Sequence, residues 1–66
     1  MSKRYEVQDF QDENYNGRYR IFDNAFNGVR DIFYYNSDSK EKMFEIASSV
    51  CERFNNIQDI VDRQLG

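Results

Sequence analysis

Few side chains in this 66-residue chain are of types and spacings that could do chemistry. Ser48, Ser49 and Cys51 fall close together, and each could act as a nucleophile if a base stood beside it. The chain has no His, the side chain that most often supplies that base, so the three read as packing and surface residues of a helix. Asp9, Asp12 and Glu13 bracket one loop, and Asp23-Asn24 with Asn27-Gly28 offers oxygen ligands of the kind calcium takes. Neither run has the ligand spacing of a calcium-binding hand, and both read as turn chemistry. Three Gly residues compose no phosphate-cradling loop, and one Cys without His makes neither an internal disulfide nor a Cys/His zinc site. No catalytic residue, metal or cofactor is expected, and the chain is not expected to be an enzyme.

What remains is surface, and the elements that present it follow from periodicity. Residues 4–10, 18–23 and 29–35 alternate between two faces and are rich in aromatic and β-branched side chains, which predicts three strands. Asn16-Gly17 and Asn27-Gly28 lie between them, and an Asn-Gly pair readily supplies the positive φ of a hairpin turn. The first connection, 11–17, is long enough for an irregular loop or bulge. For the second, two registers are open. Either Phe26 opposes Val29, or Gly28 forms a bulge so that Ala25 opposes Val29 and Ile21 opposes Phe33. The bulged form is preferred because it gathers Tyr19, Ile21, Val29, Phe33 and Tyr35 on one face; a one-residue slip would exchange the faces.

Asp38 with Glu41 three residues on predicts a capped helix start. From there Met43, Ala47, Val50, Phe54, Ile57 and Val61 recur at spacings of four and three, an amphipathic stripe. One helix over about 39–65 is expected, with Asn55-Asn56 as a possible break. The fold class is therefore α+β in a single domain: a three-stranded antiparallel β-meander with one long C-terminal α-helix packed on one face.

Two candidate contact surfaces follow. The sheet face away from the helix is expected to carry Phe10, Phe22, Ile32 and Tyr34 interleaved with Arg18, Arg20 and Arg30, an aromatic-and-Arg composition typical of interfaces. Phe10, Arg20, Phe22, Arg30, Ile32 and Tyr34 are the candidate partner-binding residues. A helix of this length outruns strands of six or seven residues, so Ile57, Ile60, Val61 and Leu65 are expected either to pair with a second copy or to fold back at Asn55-Asn56, and self-association is the preferred reading. So small a domain buries little core and gains from such a partner.

Arg18, Arg20 and Arg30 on a three-stranded sheet followed by one helix resemble the DNA-binding domains of AP2-type factors and of integrase arm-binding domains. That resemblance implies reading of the major groove through the exposed sheet. Against it stand 12 acidic residues to 9 basic, a net charge of −3, and a sequence pI near 4.7, because phosphate binding wants a basic face. Acidic clusters at Asp9, Asp12 and Glu13 and at Asp59 and Asp62 suggest mimicry of DNA, yet so mild a charge fits an ordinary solvated surface.

Tyr19-Arg20-Ile21-Phe22-Asp23, the Asn-Gly hairpin and the capped helix carrying Ile46-Ala47 and Phe54-Asn55 make nearly the whole chain similar to small accessory proteins of phages and mobile elements. That resemblance implies a stoichiometric binder or inhibitor of a host protein. The polar start Met1-Ser2-Lys3-Arg4 and the lack of a long apolar run predict a cytoplasmic protein.

Overall fold

The computed structural model describes residues 3–11 and 16–65. Strands β1 (Tyr5–Gln11), β2 (Gly17–Asp23) and β3 (Gly28–Tyr35) form an antiparallel sheet in the order β1-β2-β3, and helix α1 (Lys40–Leu65) packs across one face of it. This is the expected βββα architecture, with β2 in the centre and two open edges.

The core lies between the sheet and the first four turns of α1. Ala47 and Cys51 point straight down, and Met43, Val50 and Phe54 flank them. Opposite stand Tyr5, Val7, Tyr19, Ile21, Phe33 and Tyr35, with Ile21 fully buried at 0% exposure. Aromatic rings close both ends: Tyr19 meets Tyr35 and Phe44 at one, and Tyr5 meets Phe54 at the other. Burial pushes the Tyr19 hydroxyl and the Cys51 thiol above their ordinary pKa values, so neither ionises readily. Cys51 packs in the core with Tyr5 and Ile21.

The second hairpin follows neither expected register. Asp23 pairs with Gly28 across a four-residue loop, Asn24 to Asn27, and the left-handed position belongs to Asn27 (φ 54°) rather than to Gly28. Asp23 Oδ1 accepts from Ala25 N–H at 3.0 Å and fixes the entry to this loop. Phe22 then opposes Val29 while Ile21 opposes Asp31, so Arg30 is the extra residue of a bulge. Past the bulge Tyr19 opposes Phe33, which keeps Tyr19, Ile21, Phe33 and Tyr35 on the helix side as expected. Val29 is moved to the other face, beside Phe22. The first connection closes with Gln11 opposite Gly17, and residues 12–15, with the irregular loop expected there, lie outside the described residues. A Cβ at Gly17 would collide with the carbonyl oxygen of Phe10, so close backbone approach demands glycine here.

The helix start is also one residue later than the capping box implied. Asn36 Oδ1 accepts from the N–H groups of Asp38 and Ser39, Ser39 Oγ accepts from Asn36 N–H, and Ser39 C=O takes the first helical bond from Met43. Ser39 is thus the cap, and Asp38 sits in the turn that Asn36 organises.

No break occurs at Asn55-Asn56. Asn55 is buried, four residues after Cys51 on the same face; its Oδ1 accepts from Tyr5 N–H (2.9 Å) and its Nδ2 donates to Tyr5 C=O (3.1 Å). The amide behaves as one residue of a missing fourth strand, filling the open edge of β1. Next to it Arg4 grips Asp23 with two hydrogen bonds, Nε–Oδ1 at 2.9 Å and Nη2–Oδ2 at 3.1 Å, and donates from Nη1 to Gln58 Oε1. Helix, β1 and the hairpin loop are thereby tied at one corner.

The Arg4 guanidinium, followed by the Ala25 and Phe26 amides, holds the Asp23 carboxyl below the usual carboxylate range. A carboxyl depressed in the folded state stabilises fully above its unfolded value, near 4, and loses that contribution as pH falls below it. Acid titration of the urea midpoint from about pH 6 to about pH 2 is expected to show a falling limb that Asp23→Asn flattens.

Candidate functional site

The register sorts nine side chains into three rows on the sheet face turned away from α1: Glu6, Phe22 and Val29; Gln8, Arg20 and Ile32; Phe10, Arg18 and Tyr34. Residues directly opposed in neighbouring strands share a face, and no described element covers this one. Phe10, Val29, Ile32 and Tyr34 are all exposed, Tyr34 to 71%, and Phe22 is half-buried.

Arg20 occupies the middle of this grid. Its guanidinium lies 3.8 Å from the centroid of the Phe10 ring, and Arg18 approaches the same ring at 5.6 Å. Arg20 Nη2 donates to Gln8 Oε1 (3.0 Å), and Gln8 Nε2 donates to Glu6 Oε1 (3.2 Å), so one polar chain runs along the face. Arg20 Nε is buried and finds no hydrogen-bond acceptor among the described residues. The ring face compensates part of that loss through cation–π attraction. The Phe10 ring and the Gln8 hydrogen bond together hold the guanidinium plane.

Five of the six residues expected here are brought together: Phe10, Arg20, Phe22, Ile32 and Tyr34. Arg30 is the correction. As the bulge residue it turns toward the helix, where its guanidinium stands 5.0 Å from the centroid of the Phe54 ring. Val29 takes a place on the outer face that sequence alternation had given to the core side. The signal for both was the even-odd count across the hairpin, which cannot be read without knowing the loop length.

The sheet edges are less open than a three-stranded sheet implies. Asn55 fills the β1 edge at Tyr5. On β3 the bulge at Arg30 interrupts the strand, and Asp31 Oδ1 folds back to accept from Ile32 N–H (2.9 Å). Bulges and charges at an edge oppose pairing with another strand.

The far end of α1 carries the second surface. At about 1.5 Å per residue the helix runs about 39 Å, against about 27 Å for the longest strand, and the molecule measures 46 × 21 × 17 Å. Gln58, bonded to Arg4, is the last helical side chain with a hydrogen bond to the strands or their flanking residues among the described ones. Ile57, Ile60, Val61 and Leu65 are all exposed. Between this overhang and the hairpin loop lies an open cleft lined by Arg4, Ala25, Gln58, Asp59 and Asp62. No described helix is long and apolar enough to cross a membrane.

The Asp23-Asn24 run does not offer a free carboxylate: Asp23 is held by Arg4 and by Ala25 N–H. No protein-family model, curated protein or solved structure matches this chain.

Proposed function

We propose that this chain is a protein-interaction module that binds a larger protein stoichiometrically through its outer sheet face and acts by occluding the partner's surface. The observation that carries the reading is the uncovered grid of Phe10, Phe22, Val29, Ile32 and Tyr34 around a guanidinium already locked by Phe10 and Gln8. Contact-surface hot spots combine aromatic anchors with Arg in this way. Guarded sheet edges favour the same face, because they leave strand addition as the weaker route to a partner. The resemblance to small accessory proteins of phages implies a host protein as the partner and an inhibitor working in the host cytoplasm.

The nucleic-acid alternative loses ground with Arg30. Two arginines remain on the outer face, both leaning on Phe10, beside Glu6. That supplies too few free cations for the counterion release on which duplex affinity rests.

Affinity capture with the tagged chain tests the reading. A partner held by the wild type is expected to be retained by Ile57→Asp and reduced about tenfold or more by Tyr34→Ala and by Ile32→Asp. Equal capture by all four chains contradicts it.

Self-association through the overhang is a second reading, favoured by the exposure of Ile57, Ile60, Val61 and Leu65 beyond the sheet. Light scattering up to near-millimolar concentration is then expected to give twice the 8.0 kDa chain mass, and a single chain mass for Ile57→Asp with Ile60→Asp. A wild type that stays monomeric throughout removes the homodimer.

A further inference from the structure

The carboxylates of this acidic chain are distributed unevenly about the sheet. Asp9, Asp23 and Asp31 stand on the helix side, and Glu41, Glu45, Glu52, Asp59 and Asp62 are carried by α1. On the outer face, among the described residues, Glu6 is the one acid, and it accepts from Gln8. Arg18 and Arg20 therefore make this face positive on a chain whose net charge is −3. Arg20 uses Nη2 on Gln8 and buries Nε against Phe10, and no described residue accepts from Nη1. A planar guanidinium held in this way suits a carboxylate, whose charge-assisted bonds are short and directional. Apolar side chains border it on three sides, from Phe22, Ile32 and Phe10.

Resting on the function proposed above, we infer that the partner offers this face a segment carrying an Asp or Glu between apolar side chains. The carboxylate meets Arg20, and the apolar groups lie on Phe22, Ile32 and Tyr34. A second copy does not fit here, since face-to-face packing would set arginines against arginines with Glu6 as their sole relief. Duplex DNA would meet Glu6 and leave five large apolar side chains without a purpose.

Panning a random peptide library on the full-length chain, followed by titration of the selected peptides, tests this. The expected result is enrichment of Asp or Glu beside aliphatic or aromatic residues. Affinity should fall about 10- to 100-fold in Arg20→Gln, and equally when the peptide carboxylate is replaced by its amide. Tyr34→Ala, at a side chain exposed enough to leave the fold intact, should weaken the same peptides.

Selected peptides without an acid that still depend on Tyr34 and Ile32 would overturn the carboxylate and leave the binding face standing. Failure to enrich any peptide, or binding indifferent to Tyr34→Ala and Ile32→Asp, would overturn both. So would salt-sensitive binding of a random-sequence DNA duplex that competes with the peptides and is lost in Arg20→Gln. Circular dichroism and the urea midpoint of each variant establish that it is folded.

Discussion

Ile21→Ala is expected to remove a large part of the stability of the fold. A buried Ile→Ala change costs about 2–5 kcal/mol, the upper end where the cavity cannot collapse. Ile21 is fully buried in the central strand, beneath Cys51 and between Tyr5 and the half-buried Val7, Phe33, Val50 and Phe54. Domains are stable by about 0.05–0.15 kcal/mol per residue, which for this length is roughly 3–10 kcal/mol, and small domains tend to the low end. One truncated side chain thus removes a large part of the whole. Ile21→Val, which deletes one methyl group, should cost about 1 kcal/mol and leave a cooperative transition. Guanidinium unfolding of the pair checks this. An Ile21→Ala midpoint within a few tenths molar of wild type would mean that the core is centred elsewhere.

Asn55→Leu should come second, lowering stability by about 2–4 kcal/mol, whereas Asn56→Leu stays within about 0.5 kcal/mol. The two asparagines are adjacent and chemically identical, and their environments decide the difference. Asn55 satisfies both the N–H and the C=O of Tyr5 in a buried position, while Asn56 faces solvent. Leucine in place of Asn55 is apolar and a good helix former, so local propensity favours it. The two Tyr5 backbone groups are nevertheless stranded, and leaving buried donors and acceptors unpaired is the larger effect. Hydrogen exchange supplies a direct readout, because the Tyr5 amide should become one of the fastest in β1. Equal effects of the two substitutions would show that the clamp contributes nothing.

These residues also mark how far the sequence could be read. Strand positions, helix length and the helix-facing set Tyr19, Ile21, Phe33 and Tyr35 were legible because alternation and the four-three stripe encode burial directly. The exposure of Ile57, Ile60, Val61 and Leu65 followed from comparing helix and strand lengths. Asn55 was misleading: Asn has poor helix propensity and suggested a break, whereas its place four residues after Cys51 in the buried stripe was the better clue. Arg30 and Val29 changed sides because hairpin loop length is set by three-dimensional details, the Asp23–Ala25 hydrogen bond and the left-handed Asn27, that local patterns do not specify. The Arg4–Asp23 ion pair joins residues 19 apart in sequence, and no spacing rule points to such a pair. On the outer face alternation identified five of six residues, since only the one in the bulge departs from period two.

If the outer sheet face is the binding surface, a photo-crosslinking residue in place of Tyr34 will lie against the partner. The same residue in place of Ser49, exposed on the helix, will face solvent. Irradiating both proteins in a cell lysate that contains the captured partner and comparing the adducts by mass spectrometry measures this contact directly. The account predicts a discrete adduct from position 34, suppressed by Arg20→Gln and absent from position 49. An adduct formed from position 49 and not from position 34 would contradict it.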